Sequence, residues 1–422
     1  MTKVDPTAIG VPPFTIKVAS FFLFFGLLFF PFAIAASNFF FACLLITALF
    51  YRNILKQGWQ LCWQEYKPLT IAILLFIGIT CIGTLWSDFN ALAVHKIGKQ
   101  INWLFVFVIT GLVCLNPSLR VQAFITISIA LTLHLIICTL QYFGMITING
   151  LGSNAGDAAG FFGHLSLGFI YGIWSGALLV AATSMRRPWQ ILCYTLATYA
   201  VITVYLAQGR SGYITTFACL ALVIFKVFFP QNLKPKLIIL SILILGLGLF
   251  ASNYQPTQEK IQRTVTGVSS FFDGHWENVD MRIKIWLVSI QIWQDNPFFG
   301  VGTAGYPDAA KQAFIDHDLS YLHLTPNEKK VFYGHPHNEF LFALSRWGPI
   351  GLLILIYLCW QWVRTGWVKD WQHDTMNAYL LTASGISVIL HGLTEPSLNT
   401  HYETVFAILV LGFGLSSSKQ DP

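Results

Sequence analysis

The run Tyr333-Gly334-His335-Pro336-His337-Asn338-Glu339-Phe340-Leu341 sets two histidines, an amide and a carboxylate against the start of an apolar stretch. Three chemistries fit these side chains. The histidines can be structural, satisfied by backbone partners where a helix begins. His335, His337 and Glu339 can ligate a metal, although no helix-spaced carboxylate–histidine pair supports that. In the third, favoured reading a histidine is a general base, because histidine alone titrates naturally near neutral pH. Asn338 stands where a helix N-cap is expected.

Two arginines are the next candidates. Arg210 lies in Ala207-Gln208-Gly209-Arg210-Ser211-Gly212-Tyr213, where glycines permit a tight turn between apolar runs. It either snorkels to headgroups or reaches a ligand. Arg282 lies in Asp280–Trp293, where Met281, Ile285, Val288 and Ile292 recur at helical spacing and Trp286 and Trp293 stand seven apart. That pattern predicts an amphipathic helix in the membrane interface, ended by Asn296-Pro297. Arg282 and Lys284 are then its polar face, or Arg282 grips an anionic lipid-linked group through the planar fork that suits two phosphate oxygens. Phe299–Tyr306 contains three glycines, but no strand precedes it, so it is a loop returning to the membrane and not a nucleotide fingerprint. Among the remaining polar residues of the outer half, Glu395 is the best placed to support a catalytic group from behind.

The elements that must position these residues are membrane spans. Of 422 residues 55% are apolar and 10% charged, against about 25% charged in soluble domains. At roughly 20 residues per crossing, twelve spans would use somewhat over half the chain. A globular enzyme, a disordered hub and a nucleic-acid binder are excluded, which leaves transporter, channel and membrane enzyme. The apolar runs predict an all-α polytopic protein with spans at 16–33, 35–51, 69–86, 100–115, 121–143, 161–183, 190–208, 212–229, 236–252, 339–363, 376–394 and 402–416. The domains are then 1–252 (nine spans), 253–338 (a long loop with the amphipathic helix) and 339–422 (three spans). No cleavable signal peptide, internal repeat or low-complexity tract stands out. The eight cysteines, none in the long loop, fit neither a disulfide framework nor a zinc site.

Charge gives the orientation. The loops on one side carry 14 Lys and Arg, and the short loops on the other carry only Lys96, Lys99 and Arg210. Long segments such as 253–338 do not count in this bias, so both termini are expected in the cytoplasm and the long loop in the periplasm. The formal +6 then splits into +9 inside and −3 outside. On a net acidic outer face, Arg210 and Arg282 are not members of a basic patch.

Taken in order, Gly209-Arg210-Ser211-Gly212, then Arg282-Ile283-Lys284-Ile285-Trp286 with Asn296-Pro297-Phe298-Phe299-Gly300-Val301-Gly302, then His335-Pro336-His337-Asn338-Glu339-Phe340-Leu341 resemble the O-antigen ligase and polymerase superfamily. Within it they are most similar to the O-antigen ligases of Gram-negative bacteria, with a GT-C-like helical fold. The resemblance implies an inner-membrane glycosyltransferase with a periplasmic site. Its donor would be an undecaprenyl diphosphate-linked O-antigen and its acceptor a lipid A–core sugar hydroxyl, with membrane lipids as the other partners and no nucleic acid. It assigns the base to His337, which directly precedes the amide residue, and the leaving diphosphate to Arg210 and Arg282. Lys284, Asn338, Glu339, His335 and Glu395 become substrate-binding candidates, and no metal or other cofactor is expected. An O-antigen polymerase or a protein O-oligosaccharyltransferase would use the same donor. A transporter of anionic solutes is the alternative from another class, though it would place ionisable groups near the midplane and in repeated halves.

Overall fold

The computed structural model describes residues 12–87, 91–148, 155–229, 238, 241, 255–324 and 333–416. Among them every regular element is helical. Of the expected span 236–252 all but 238 and 241 lies outside the described residues.

α1 (Pro13–Phe29) and α2 (Ile34–Phe50) form a hairpin that turns at Pro31 and is tied by Ser37 Oγ donating to the Gly26 carbonyl at 2.9 Å. The following segment, expected as an inner loop, is instead α3 (Asn53–Glu65), bent 88° from α2. Its Ile54, Gly58, Leu61 and Cys62 lie on one face and are buried, and α3 packs on α6 through that face. Polar residues between them hid this helical stripe from a search for long apolar runs. α4 (Lys67–Ile82) leads to α5 (Ala91–Gln100) and α6 (Leu104–Leu115), which form one 25-residue rod through a 3-10 turn. This rod begins nine residues before the expected start at 100. α7 (Ser118–Tyr142), α8 (Gly163–Ala182), α9 (Arg187–Leu206) and α10 (Arg210–Val223) follow near their expected places. So do α14 (Glu339–Trp367), α15 (Thr375–Gly392) and α16 (His401–Leu415).

Six of the described helical rods are long and apolar enough to cross a membrane, and the bent α2–α3 pair would make a seventh. α1, α4 and α16 are shorter apolar helices. The chain is therefore an all-α polytopic membrane protein. Small residues set its closest helix crossings, as expected where lipid supplies no hydrophobic drive between helices. A Cβ on Gly168 of α8 would lie 2.2 Å from the Gly212 Cα, so α8 and the start of α10 touch backbone to backbone.

Between α10 and α14 lie α11 (Gln255–Phe272), α12 (Met281–Asp295) and α13 (Tyr306–Asp316). The helix expected around Arg282 is present as α12, but its stripe faces protein. Ile285, Val288 and Ile292 are buried with Tyr306 and Ala310 of α13 and Phe342 of α14 in a second, smaller core. α12 is thus held by its own apolar cluster, not laid flat on lipid.

The loop after α12 docks on α14 and then leaves as α13. The reason lies in α14, which kinks at Gly348-Pro349. Pro349 has no N–H, which orphans the carbonyl four residues back. That carbonyl belongs to Ser345, and Val301 N donates to it at 2.9 Å, while Gly302 N donates to the next one, Arg346 O, at 2.7 Å. The Asn296–Gly302 motif is a strap that repairs the backbone of a broken helix.

Gly348 has φ 65° and ψ −165°, a region open to glycine almost alone, and a Cβ there would sit 2.2 Å from Phe298 O. Gly348→Ala should cost more than about 2 kcal/mol by combining backbone strain with loss of the strap. Thermal unfolding in detergent checks this. Gly78→Ala is the control, because nothing lies within 4 Å of its Cβ. Equal melting temperatures for the two variants would show that the strap carries no stability.

Candidate active site

His337 is held from both sides. Asn338 caps α14 as expected, its Oδ1 accepting from Phe340 N and Leu341 N, each at 3.0 Å. Its Nδ2 donates to Leu393 O at 3.1 Å, which ties the start of α14 to the loop after α15. Glu395 stands in that loop, 3% exposed, and its Oε1 lies 2.6 Å from His337 Nδ1. A carboxylate oxygen accepts, so Nδ1 carries the proton and Nε2 keeps its lone pair. Nε2 is buried and has no hydrogen-bond partner among the described residues. A histidine oriented by a carboxylate, with the opposite nitrogen unsatisfied, is ready to accept a proton.

His335 has a different part. Its Nδ1 accepts from His337 N at 3.3 Å across a turn in which His337 adopts φ 50°, and the two rings are 4.3 Å apart. Burial, followed by the neighbouring His337, pushes its pKa from 6.5 down to about 4. His335 is therefore a neutral acceptor that shapes the turn. Between pH 6.5 and 4 the unfolded chain binds this proton and the folded chain does not, so stability is full above 6.5 and falls as pH drops to 4. His335→Gln should flatten that slope, measured as denaturation midpoints at pH 7 and pH 5. Parallel slopes in wild type and variant would refute the assignment.

Arg282 reaches the same carboxylate. Its Nη2 is 3.8 Å from Glu395 Oε1, the oxygen that also binds His337. Arg210 opens α10, where Gln208 takes φ 60° and Gly209 is extended. The left-handed turn residue is thus Gln208. Gly209 is needed for space instead, since a Cβ there would lie 2.5 Å from His164 O. Arg210 Nη1 donates to Thr264 Oγ1 of α11, and its Nη2 is 3.7 Å from Asp280 Oδ2. Asp280 also caps α12, its Oδ1 accepting from Arg282 N at 2.9 Å. One connected chain results: Arg210, Asp280, Arg282, Glu395, His337. The guanidinium-bearing side chains are 40% and 25% exposed and each rests on one carboxylate at loose range. A bound dianion would offer both a stronger partner.

Two candidates fall elsewhere. Lys284 is 3% exposed, two residues and so about 200° around α12 from Arg282. Glu339 points away from His337: its Oε2 accepts from Leu398 N at 2.8 Å and its Oε1 from Asn399 Nδ2 at 2.7 Å, with Arg346 Nη2 4.0 Å away. The metal-ligand set considered above therefore has the wrong carboxylate. His335, His337 and Glu395 are the three whose ligand atoms lie within 4.8 Å of one another. The 2.6 Å contact inside that set is a charge-assisted hydrogen bond, shorter than two ligands on one tetrahedral ion would stand.

Residues 195–356 match the family model described as O-antigen ligase. That stretch, about two fifths of the chain, is similar to the family. No curated protein matches the chain. The match supports O-antigen ligase-like glycosyl transfer, a reaction that would join a lipid-linked glycan donor to a lipid-anchored acceptor in the membrane. Within the ligase segment lie Arg210, Asp280, Arg282, His335 and His337, while Glu395 joins them from outside it. Sequence reasoning missed Asp280 and Thr264. Asp280 had a signal, since an aspartate directly before a helical stripe is an N-cap. Thr264 had none, because only folding brings α11 against Arg210. Trp286 was named only for the interface, yet it shares the Arg282 face at i+4 and its buried indole N–H lacks a partner among the described residues.

Proposed function

We propose that the chain transfers an O-antigen glycan from undecaprenyl diphosphate to a sugar hydroxyl of lipid A–core, inverting the anomeric carbon. One observation carries this reading: the buried His337 Nε2, without a hydrogen-bond partner among the described residues, opposite an Nδ1 fixed by Glu395. The acceptor hydroxyl gives its proton to Nε2 as its oxygen bonds to the anomeric carbon. The carbon–oxygen bond to the diphosphate breaks on the opposite side, and its electron pair leaves on the diphosphate oxygen. Arg210 and Arg282 meet that developing charge, and Glu395 steadies the imidazolium. The leaving group is already an anion, so it needs little help from an acid.

In this reading both termini lie in the cytoplasm, supported by the 14-to-3 excess of basic residues in the inner loops. In the same reading residues 253–338 lie in the periplasm between the membrane-spanning parts 1–252 and 339–422, and α11, α12 and the turn before α14 supply Thr264, Asp280, Arg282 and His337.

Reconstitution with purified lipid-linked glycan and lipid A–core, without nucleotide and with chelator present, tests the reading. Product on lipid A–core is expected. Product only on a second lipid-linked glycan makes the enzyme a polymerase, and activity that vanishes with chelator and returns with a divalent metal makes the His335–His337–Glu395 set a metal centre.

A further inference from the structure

We infer that Lys96 and Lys99 of α5 form a second anion site beside His337, which binds a phosphate on the lipid-anchored acceptor. The inference rests on the glycosyl-transfer reading for its place in the reaction, and on geometry for the site itself.

The arginine chain described above leaves one group of cations unused. Lys96 Nζ donates to Asn399 Oδ1 at 3.4 Å, and Lys99 Nζ donates to the Asn399 carbonyl at 2.8 Å. Arg346 Nη1 donates to the same Oδ1 at 3.2 Å, while its guanidinium carbon lies 3.7 Å from the Phe342 ring centroid and 4.1 Å from that of Trp347. Three cations thus converge on one neutral residue, two on its side-chain oxygen and one on its backbone carbonyl. The acids facing them are Glu339, on Asn399 and Arg346, and Glu403, on Lys99. One positive charge is left over in a place where water screens poorly, and like charges held this close repel unless an anion joins them.

The cluster is continuous with the catalytic histidine by a route separate from the arginines. The His337 and His335 rings are 4.3 Å apart, His335 and Phe342 6.4 Å, and Lys96 Nζ stands 5.5 Å above Phe342. Arg346 is fully buried and serves as scaffold, whereas Lys96 and Lys99 are half-buried, stand one helical turn apart and remain open to a ligand. Lysine suits this task, being a mobile point charge that follows a phosphate without imposing one orientation. The donor diphosphate is committed to Arg210 and Arg282. The molecule whose hydroxyl must meet Nε2 is the acceptor, so its anionic groups are the ones these lysines can hold.

Two acceptors carry such groups: a phosphorylated lipid A–core, and a polyprenyl diphosphate-linked glycan. Binding to the full-length protein in lipid nanodiscs separates them without any turnover. The probes are phosphorylated lipid A–core, the same glycolipid after phosphatase treatment, and the polyprenyl diphosphate glycan. The Lys96→Gln/Lys99→Gln pair should weaken phosphorylated lipid A–core at least tenfold, down to the level the dephosphorylated form shows with wild type. Lys96→Arg/Lys99→Arg should restore it, which separates lost charge from lost fold. Loss seen only with the polyprenyl diphosphate glycan assigns the site to that phosphate source. Unchanged binding of both phosphorylated probes in the glutamine pair overturns the site. If wild type binds with the expected phosphate dependence but forms no product, the transfer reading fails and the anion site stands.

Discussion

His337→Ala should form at least a thousandfold less glycosylated acceptor per minute than wild type, with donor and acceptor binding retained. General-base catalysis by a positioned side chain is worth about 10²–10⁴ in rate, and the upper part of that range applies because nothing near His337 can replace it. His335 is a neutral acceptor committed to the backbone of the same turn, and Glu395 is buried, with its Oε1 on the Nδ1 side of the His337 ring. The variant should fold, because α14 is capped by Asn338 and not by His337. Glu395→Gln is the informative companion. Its amide can still accept from Nδ1, so the ring stays in place, but the imidazolium loses its counter-charge and the rate should fall by less than with alanine at His337. Turnover is followed by the gel shift of the acceptor at equal amounts of purified protein. A His337→Ala enzyme within tenfold of wild type would end the base assignment.

Much of this site was legible in the sequence, and for identifiable reasons. Scarce charge in an apolar chain made Arg210, Arg282 and His337 conspicuous, since an ionisable group beside a membrane span is costly to keep. The spans could be read because each is a long apolar run. Two kinds of feature were not legible. α3 disperses its buried residues among polar ones, so a run-length search passes over it although the helical stripe is there. The carboxylates were harder, because their roles depend on distance along the chain. Glu395 was singled out as a supporting carboxylate, but it lies 58 residues from His337 and Asp280 lies 70 from Arg210, and no local pattern says which group either one meets. Glu339, nearest to His337 in sequence, drew attention for that reason alone, yet the first turn of α14 carries it to the far side, toward Asn399. The Asn296–Gly302 motif, which the sequence offered only as a helix stop, a loop and part of the resemblance, is explained by the missing N–H of Pro349 some fifty residues later.

Arg282→Lys should reduce turnover about a hundredfold, and more severely than Arg210→Lys. In the proposed mechanism both arginines meet the leaving diphosphate, and removing one preorganised donor from a developing oxyanion costs about 10²–10³. Arg282 carries the larger share for structural reasons. Its backbone is pinned by the Asp280 cap, its side chain is less exposed than that of Arg210, and it shares Glu395 Oε1 with His337. Lysine keeps a positive charge that can still sit on Glu395, so His337 remains oriented. What is lost is the second donor, and with it the two-point grip on phosphate. The deficit should therefore appear in kcat, with donor KM changed only severalfold, because the grip tightens as charge moves onto the diphosphate. Arg282→Ala should be worse, since it leaves Glu395 to His337 alone, and guanidinium added to the assay should restore part of its activity while ammonium should not. Full activity in Arg282→Lys would reduce this arginine to a generic surface cation and leave the diphosphate to Arg210.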